Sequence, residues 1–114
     1  MRWILAVVVL ASACGEPEDK LDEARVKLAK YQVSQLATEF YRQWQMAHVA
    51  KPCPDDLDEL TTFYGAPAMK DPWGHSFVIV CGPTAPPAAR GFGVISLGGD
   101  GKQDTPDDIR SWGP

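Results

Sequence analysis

Gly93-Val94-Ile95-Ser96-Leu97-Gly98-Gly99-Asp100-Gly101-Lys102-Gln103-Asp104-Thr105-Pro106-Asp107-Asp108-Ile109-Arg110-Ser111-Trp112 is a β-prone run that empties into an acidic, glycine-rich loop and recovers as a short segment ending in tryptophan. Asp100, Asp104, Asp107 and Asp108 fall within nine consecutive positions that hold one cation, Lys102. Closing such a loop brings like charges together at a Coulomb cost, and a divalent ion reverses the sign of that interaction. Ca2+ takes about six to eight oxygen ligands in flexible geometry, and Gly98, Gly99 and Gly101 let the backbone turn its carbonyls inward to join the carboxylates. The loop contains no sulfur or imidazole, which argues against zinc and copper. Nor is it an EF-hand, because no D-x-[DN]-x-[DN]-G run closed by Glu is present and the flanking segments read as strands. The same composition also describes a solvated turn whose aspartates cap their own backbone, so the residues alone leave both readings open.

Working outward, Gly91 to Leu97 reads as a strand that pairs with an apolar run, Ser76-Phe77-Val78-Ile79-Val80-Cys81. A Pro/Ala-rich connection, 82–90, joins the two, and Ile109 to Trp112 is placed as a third strand at the edge. Asp71-Pro72-Trp73-Gly74 is a turn signature, with Pro presetting the second position and Gly permitting positive φ at the fourth; Trp73 is expected as a core plug beneath the sheet. Before it, Leu21 to Ala47 is helical. Val26, Ala29, Val33, Leu36, Phe40, Trp44 and Ala47 recur in steps of three and four as one apolar stripe, while Lys27, Lys30, Gln35, Glu39 and Gln43 fall mostly elsewhere. A sheet this small cannot bury itself alone, so the helix is expected to cover it. Asp55 or Asp56 caps a short helical turn that turns Leu57 and Leu60 inward, and Phe63 and Tyr64 are expected to pack. The fold class is α+β: one long N-terminal helix on a small, about three-stranded, antiparallel sheet.

Asp71-Pro72-Trp73-Gly74-His75 with the strand after it, Ser96-Leu97-Gly98-Gly99-Asp100-Gly101-Lys102, and Asp107-Asp108-Ile109 with its following tryptophan together resemble the C-terminal domain of the major, G-type, pseudopilin of type II secretion. Ala24-Arg25-Val26-Lys27-Leu28-Ala29-Lys30 is similar to the family's helix. The resemblance implies a Ca2+ ion in the loop after the second strand, held by the Leu97 carbonyl, the Asp100 carboxylate, the Thr105 carbonyl and the Asp107 and Asp108 side chains. The loop is shorter here than in many members, which adds Asp104 as a candidate ligand. His75 stands where the family often has Asn and is given no catalytic role. The family's prepilin-peptidase site and long apolar helix have no counterpart, so the domain looks like the pseudopilin fold fitted to a different anchor.

That anchor is expected from the first residues. Met1-Arg2 and the apolar run 3–10 are too short to span a bilayer, which needs about twenty apolar residues, and resemble a signal peptide over 1–13. Ala11-Ser12-Ala13-Cys14-Gly15 resembles a bacterial lipobox, making Cys14 the lipidated first residue, with 14–20 as a tether and 21–114 as the domain. Cleavage after Ala13 without lipidation is the other reading; both send the chain out of the cytoplasm. Gly15 is not an inner-membrane retention aspartate, so the expected place is the outer membrane, facing the periplasm. Of three cysteines, Cys53 and Cys81 then remain as a pair able to form a disulfide in an oxidising compartment, or as two separate buried thiols.

A chain of 114 residues builds one small domain, and a net charge of −4 gives nucleic-acid binding no electrostatic support. An enzyme needs a nucleophile and base, or paired carboxylates in a cleft, and His48, His75 and the cysteines form no such constellation. The expected function is a non-enzymatic, calcium-stabilised, pseudopilin-like exported lipoprotein. It would serve type II secretion as a structural or accessory part, partnered by the membrane through its lipid and by pseudopilins or other secretion proteins. The alternative is a free-standing envelope lipoprotein that keeps the fold and binds an unrelated partner.

Overall fold

The computed structural model describes residues 17–66 and 69–113, with side chains described from Lys20 onward. The signal peptide, Cys14 and the start of the tether lie outside the described residues. Helix α1 runs over Pro17–Gln35 and passes through a π-helical turn, Leu36–Phe40, into α2, Tyr41–Ala47. It thus begins at Pro17, inside the expected tether. Proline suits a first helical position because its missing N–H has no partner there in any case.

The apolar stripe predicts its own burial well. Ala29, Val33, Leu36, Phe40 and Trp44 are all buried, Val26 is half-buried, and Ala47 at the helix end is exposed. Two consecutive steps of four, Leu36 to Phe40 to Trp44, would drift about 80° around a regular α-helix. The wider π turn takes up that drift and keeps all three side chains in one core with Leu60, Phe77, Phe92 and Val94. Helix α3, Leu57–Phe63, closes one end of this core and is capped by Asp56, whose Oδ1 accepts the Glu59 N–H at 2.8 Å. Leu60 is fully buried and Leu57 packs against the core. Phe63 and Tyr64 pack as expected but on one side only, Phe63 edge-on to His48, and remain 47% and 39% exposed. Tyr64 stacks on Phe40 with ring centroids 3.9 Å apart and donates its hydroxyl to Glu39 at 3.0 Å, leaving its outer face in water.

Three antiparallel strands follow in the spatial order β1 (Val78–Cys81), β2 (Phe92–Ser96), β3 (Ile109–Arg110). The register pairs Val78 with Ile95, Cys81 with Phe92, and Ser96 with Ile109. Phe92 and Val94 face the helix, and the Tyr41 ring lies parallel to Phe92 at 4.0 Å. On the opposite face, Trp112 lies over Gly93: a Cβ at that position would fall 2.4 Å from the indole Cζ3. The 82–90 connection is ordered by two 3-10 turns, Gly82–Thr84 and Pro87–Ala89. The Cys53 and Cys81 sulfurs are at disulfide distance, with Cα atoms 6.0 Å apart, which ties the segment before α3 to the end of β1.

Candidate functional site

The 71–75 turn and the acidic loop pack against each other. Gly74 closes the turn at φ +84°, its N–H donating to the Asp71 carbonyl at 2.9 Å. Asp71 itself is buried. Its Oδ1 accepts from the Trp73 and His75 N–H groups at 3.1 and 2.8 Å, while Oδ2 accepts from the Ser96 hydroxyl at 2.8 Å. This arrangement presents Trp73 and His75 to the loop. A Cβ on Gly99 would meet the Trp73 Nε1 at 3.5 Å, and one on Gly101 the His75 Cε1 at 2.8 Å. Trp73 is therefore half-buried at the loop rather than a core plug beneath the sheet, and its indole N–H donates to Asp22 Oδ1 on α1 at 3.3 Å.

Three of the loop's four aspartates accept hydrogen bonds from loop backbone. Asp100 Oδ1 accepts the Lys102 N–H at 3.0 Å, Asp107 Oδ2 the Asp100 N–H at 3.1 Å, and Asp108 Oδ2 the Asp104 N–H at 2.8 Å. The Lys102 N–H, then the Thr105 hydroxyl, hold the Asp100 carboxyl below the usual aspartate range, with the charges of Lys102 and His75 adding to the effect. The Thr105 carbonyl accepts the Asp108 N–H at 3.1 Å and keeps a second lone pair. Asp104 occupies the left-handed region at φ +63°, which aspartate tolerates better than most residues. Leu97 lies half-buried where β2 ends. Among the described residues, no three or more His, Cys, Asp or Glu side chains form a group able to hold a metal ion.

Asp108 is the exception to this self-satisfied pattern. Its side chain is 1% exposed, and Arg110 Nη2 stands 3.7 Å from Oδ2, while Oδ1 is buried with no hydrogen-bond partner. A buried carboxylate oxygen without a donor is costly, and a cation would remove that cost. The expected ligand set fits a hard cation chemically, being all oxygen and supplied by carboxylates and carbonyls.

Asp108 also lines a cavity of about 340 Å3 shared with Asp22 and Lys30 of α1, Trp73, Gly99 and Asp107. Asp22 and Lys30 were not singled out as site residues. Asp22 meets Trp73 from 51 positions away, a juxtaposition created only when α1 lies across the sheet, and no local motif signals it. No protein-family model matches the chain, and no curated protein or solved structure is significantly similar to it.

Proposed function

We propose that this chain is a non-enzymatic, calcium-stabilised, pseudopilin-like domain, exported and lipid-anchored at Cys14, that serves as a structural or accessory part of type II protein secretion. The observation that carries the metal reading is the orphaned, buried Oδ1 of Asp108. The ion would be held by the Leu97 and Thr105 carbonyls and the Asp100, Asp107 and Asp108 carboxylates. It would supply positive charge to a loop that carries four aspartates in nine positions, and tie the end of β2 to β3, whose own pairing spans two residues. The architecture supports the pseudopilin reading in its order: a long helix, a three-stranded antiparallel sheet, and the acidic loop between the last two strands.

Thermal unfolding of the purified chain with added Ca2+ or with chelator tests the metal. Ca2+ is expected to raise the melting temperature as its free concentration passes the dissociation constant, with Mg2+ a poor substitute because it demands tighter octahedral geometry. Asp108→Asn keeps an acceptor for the Asp104 N–H yet is expected to abolish the Ca2+ response, as is Asp100→Ala. Melting indifferent to Ca2+ and chelator would remove the ion from the reading. Cross-linking in the bacterial envelope tests the second half: adducts with pseudopilins support secretion, whereas adducts confined to unrelated envelope proteins favour the free-standing lipoprotein.

A further inference from the structure

The solvent side of α1 carries a second apolar stripe that the fold does not use. Leu21 and Leu28 are 49% exposed and Tyr31 is 59% exposed, with Ala24 exposed between them. At about 100° per residue these four fall within an arc of about 80°, whose centre lies about 140° around the helix from the buried stripe of Val26, Ala29, Val33 and Leu36. The borders are cationic. Lys20 and Lys27 flank the stripe on one side and Arg25 on the other, while Asp22 and Glu23 sit about 120° or more from its centre. An apolar strip edged by long cationic side chains, with the acids turned away, is the pattern of a helix lying in a membrane interface. There the lysine and arginine stems snorkel toward headgroups as the apolar side chains enter the acyl boundary.

We propose that this face of α1 docks on the surface of an anionic lipid bilayer. Two copies pairing through the stripe would bring Lys20, Arg25 and Lys27 against like charges. A stripe confined to Leu21–Tyr31 is also shorter than the three to four heptads that mark a coiled coil. A bilayer asks for less, because one lipid chain acting together with a cluster of basic residues is enough for stable attachment. The inference rests on the envelope reading for the nearness of a membrane: Pro17 follows Cys14 by three residues, so a lipid on Cys14 would hold the first turns of α1 within about 20–25 Å of the headgroups. Bound this way, the helix lies between membrane and sheet, and the buried stripe stays in the core.

The test is depth-sensitive spin labelling of the full chain reconstituted on vesicles, with a nitroxide on Leu28→Cys and a reference nitroxide on Glu23→Cys. On vesicles containing phosphatidylglycerol, the label at 28 is expected to become oxygen-accessible and nickel-inaccessible, while the label at 23 stays aqueous. Raising salt, or using phosphatidylcholine alone, returns the label at 28 to water. Arg25→Gln with Lys27→Gln lowers the docked-to-undocked ratio about twenty-five-fold, at about fivefold per cation near an anionic surface. A label at 28 that stays aqueous on phosphatidylglycerol vesicles overturns the proposal. So does one immobilised without lipid as protein concentration rises, an outcome that assigns the stripe to self-association. The mass of the mature N-terminus, measured on the same sample, reports the Cys14 anchor independently, so either idea can fail alone.

Discussion

The Ser96 hydroxyl donates to Asp71 Oδ2 at 2.8 Å, joining the end of β2 to the turn that precedes β1 through a bond closed to solvent. With the two N–H groups on Oδ1, the buried carboxylate has donors on both oxygens. Ser96→Ala leaves Oδ2 without a donor and is expected to cost about 1–3 kcal/mol. Asp71→Ala removes acceptors from three donors at once and is expected to cost more. Urea unfolding of both single variants and the double variant should give a coupling energy of about 0.5–3 kcal/mol, as for groups in one hydrogen-bonded network.

Gly93 is needed for what it lacks. Gly93→Ala places a methyl inside the Trp112 ring and is expected to cost about 1–3 kcal/mol by overpacking. In a Trp112→Ala background the same change should cost much less. Equal costs in the two backgrounds would show that the indole does not set the requirement.

Joining residues 28 apart in sequence, the Cys53–Cys81 bridge restricts the unfolded chain. Reduction, or Cys53→Ala with Cys81→Ala, is expected to lower stability by about 3–4 kcal/mol on loop-entropy grounds. Chemical denaturation with and without reductant measures it.

Glu59 predicts an acid response. Its carboxylate accepts the Asp55 N–H at 2.8 Å, Lys51 Nζ at 3.0 Å and the buried Trp44 indole N–H at 3.1 Å. The Asp55 N–H, followed by the Lys51 ammonium, holds the carboxyl below the ordinary glutamate value. Because the folded value is the lower one, the associated stability is complete above the unfolded value, about pH 4.3, and is lost as pH falls from there through the folded value. Melting temperature should therefore drop on acidification below about pH 5, and Glu59→Gln should flatten that drop.

Much of the fold was legible because its signals are local. The stripe from Val26 to Trp44 sets the helix face, the residues around Asp56 mark a cap, and 71–74 spell a turn whose glycine adopts positive φ. What the sequence did not display depends on elements far apart in the chain. Trp73 was expected in the core, yet it sits at the acidic loop because α1 brings Asp22 to its indole. Phe63 and Tyr64 pack as expected, but α3 ends as they arrive and each keeps one side in water. The acidic loop was recognisable as a place, whereas the separate condition of Asp108, sealed and lacking a donor on one oxygen, emerges only in three dimensions.

The widened turn at Leu36–Phe40 marks a point where the main helix tolerates a change of length. Thr38 is exposed, and its side chain bonds only the Ser34 carbonyl one turn back. Losing that residue would shorten the Leu36-to-Phe40 step to three and allow ordinary α-helical winding, with every inward-pointing side chain still on one side of the cylinder. Related chains one residue shorter at this point could thus share the same interior, and an alignment that forbids a gap inside the helix would misplace everything upstream of it.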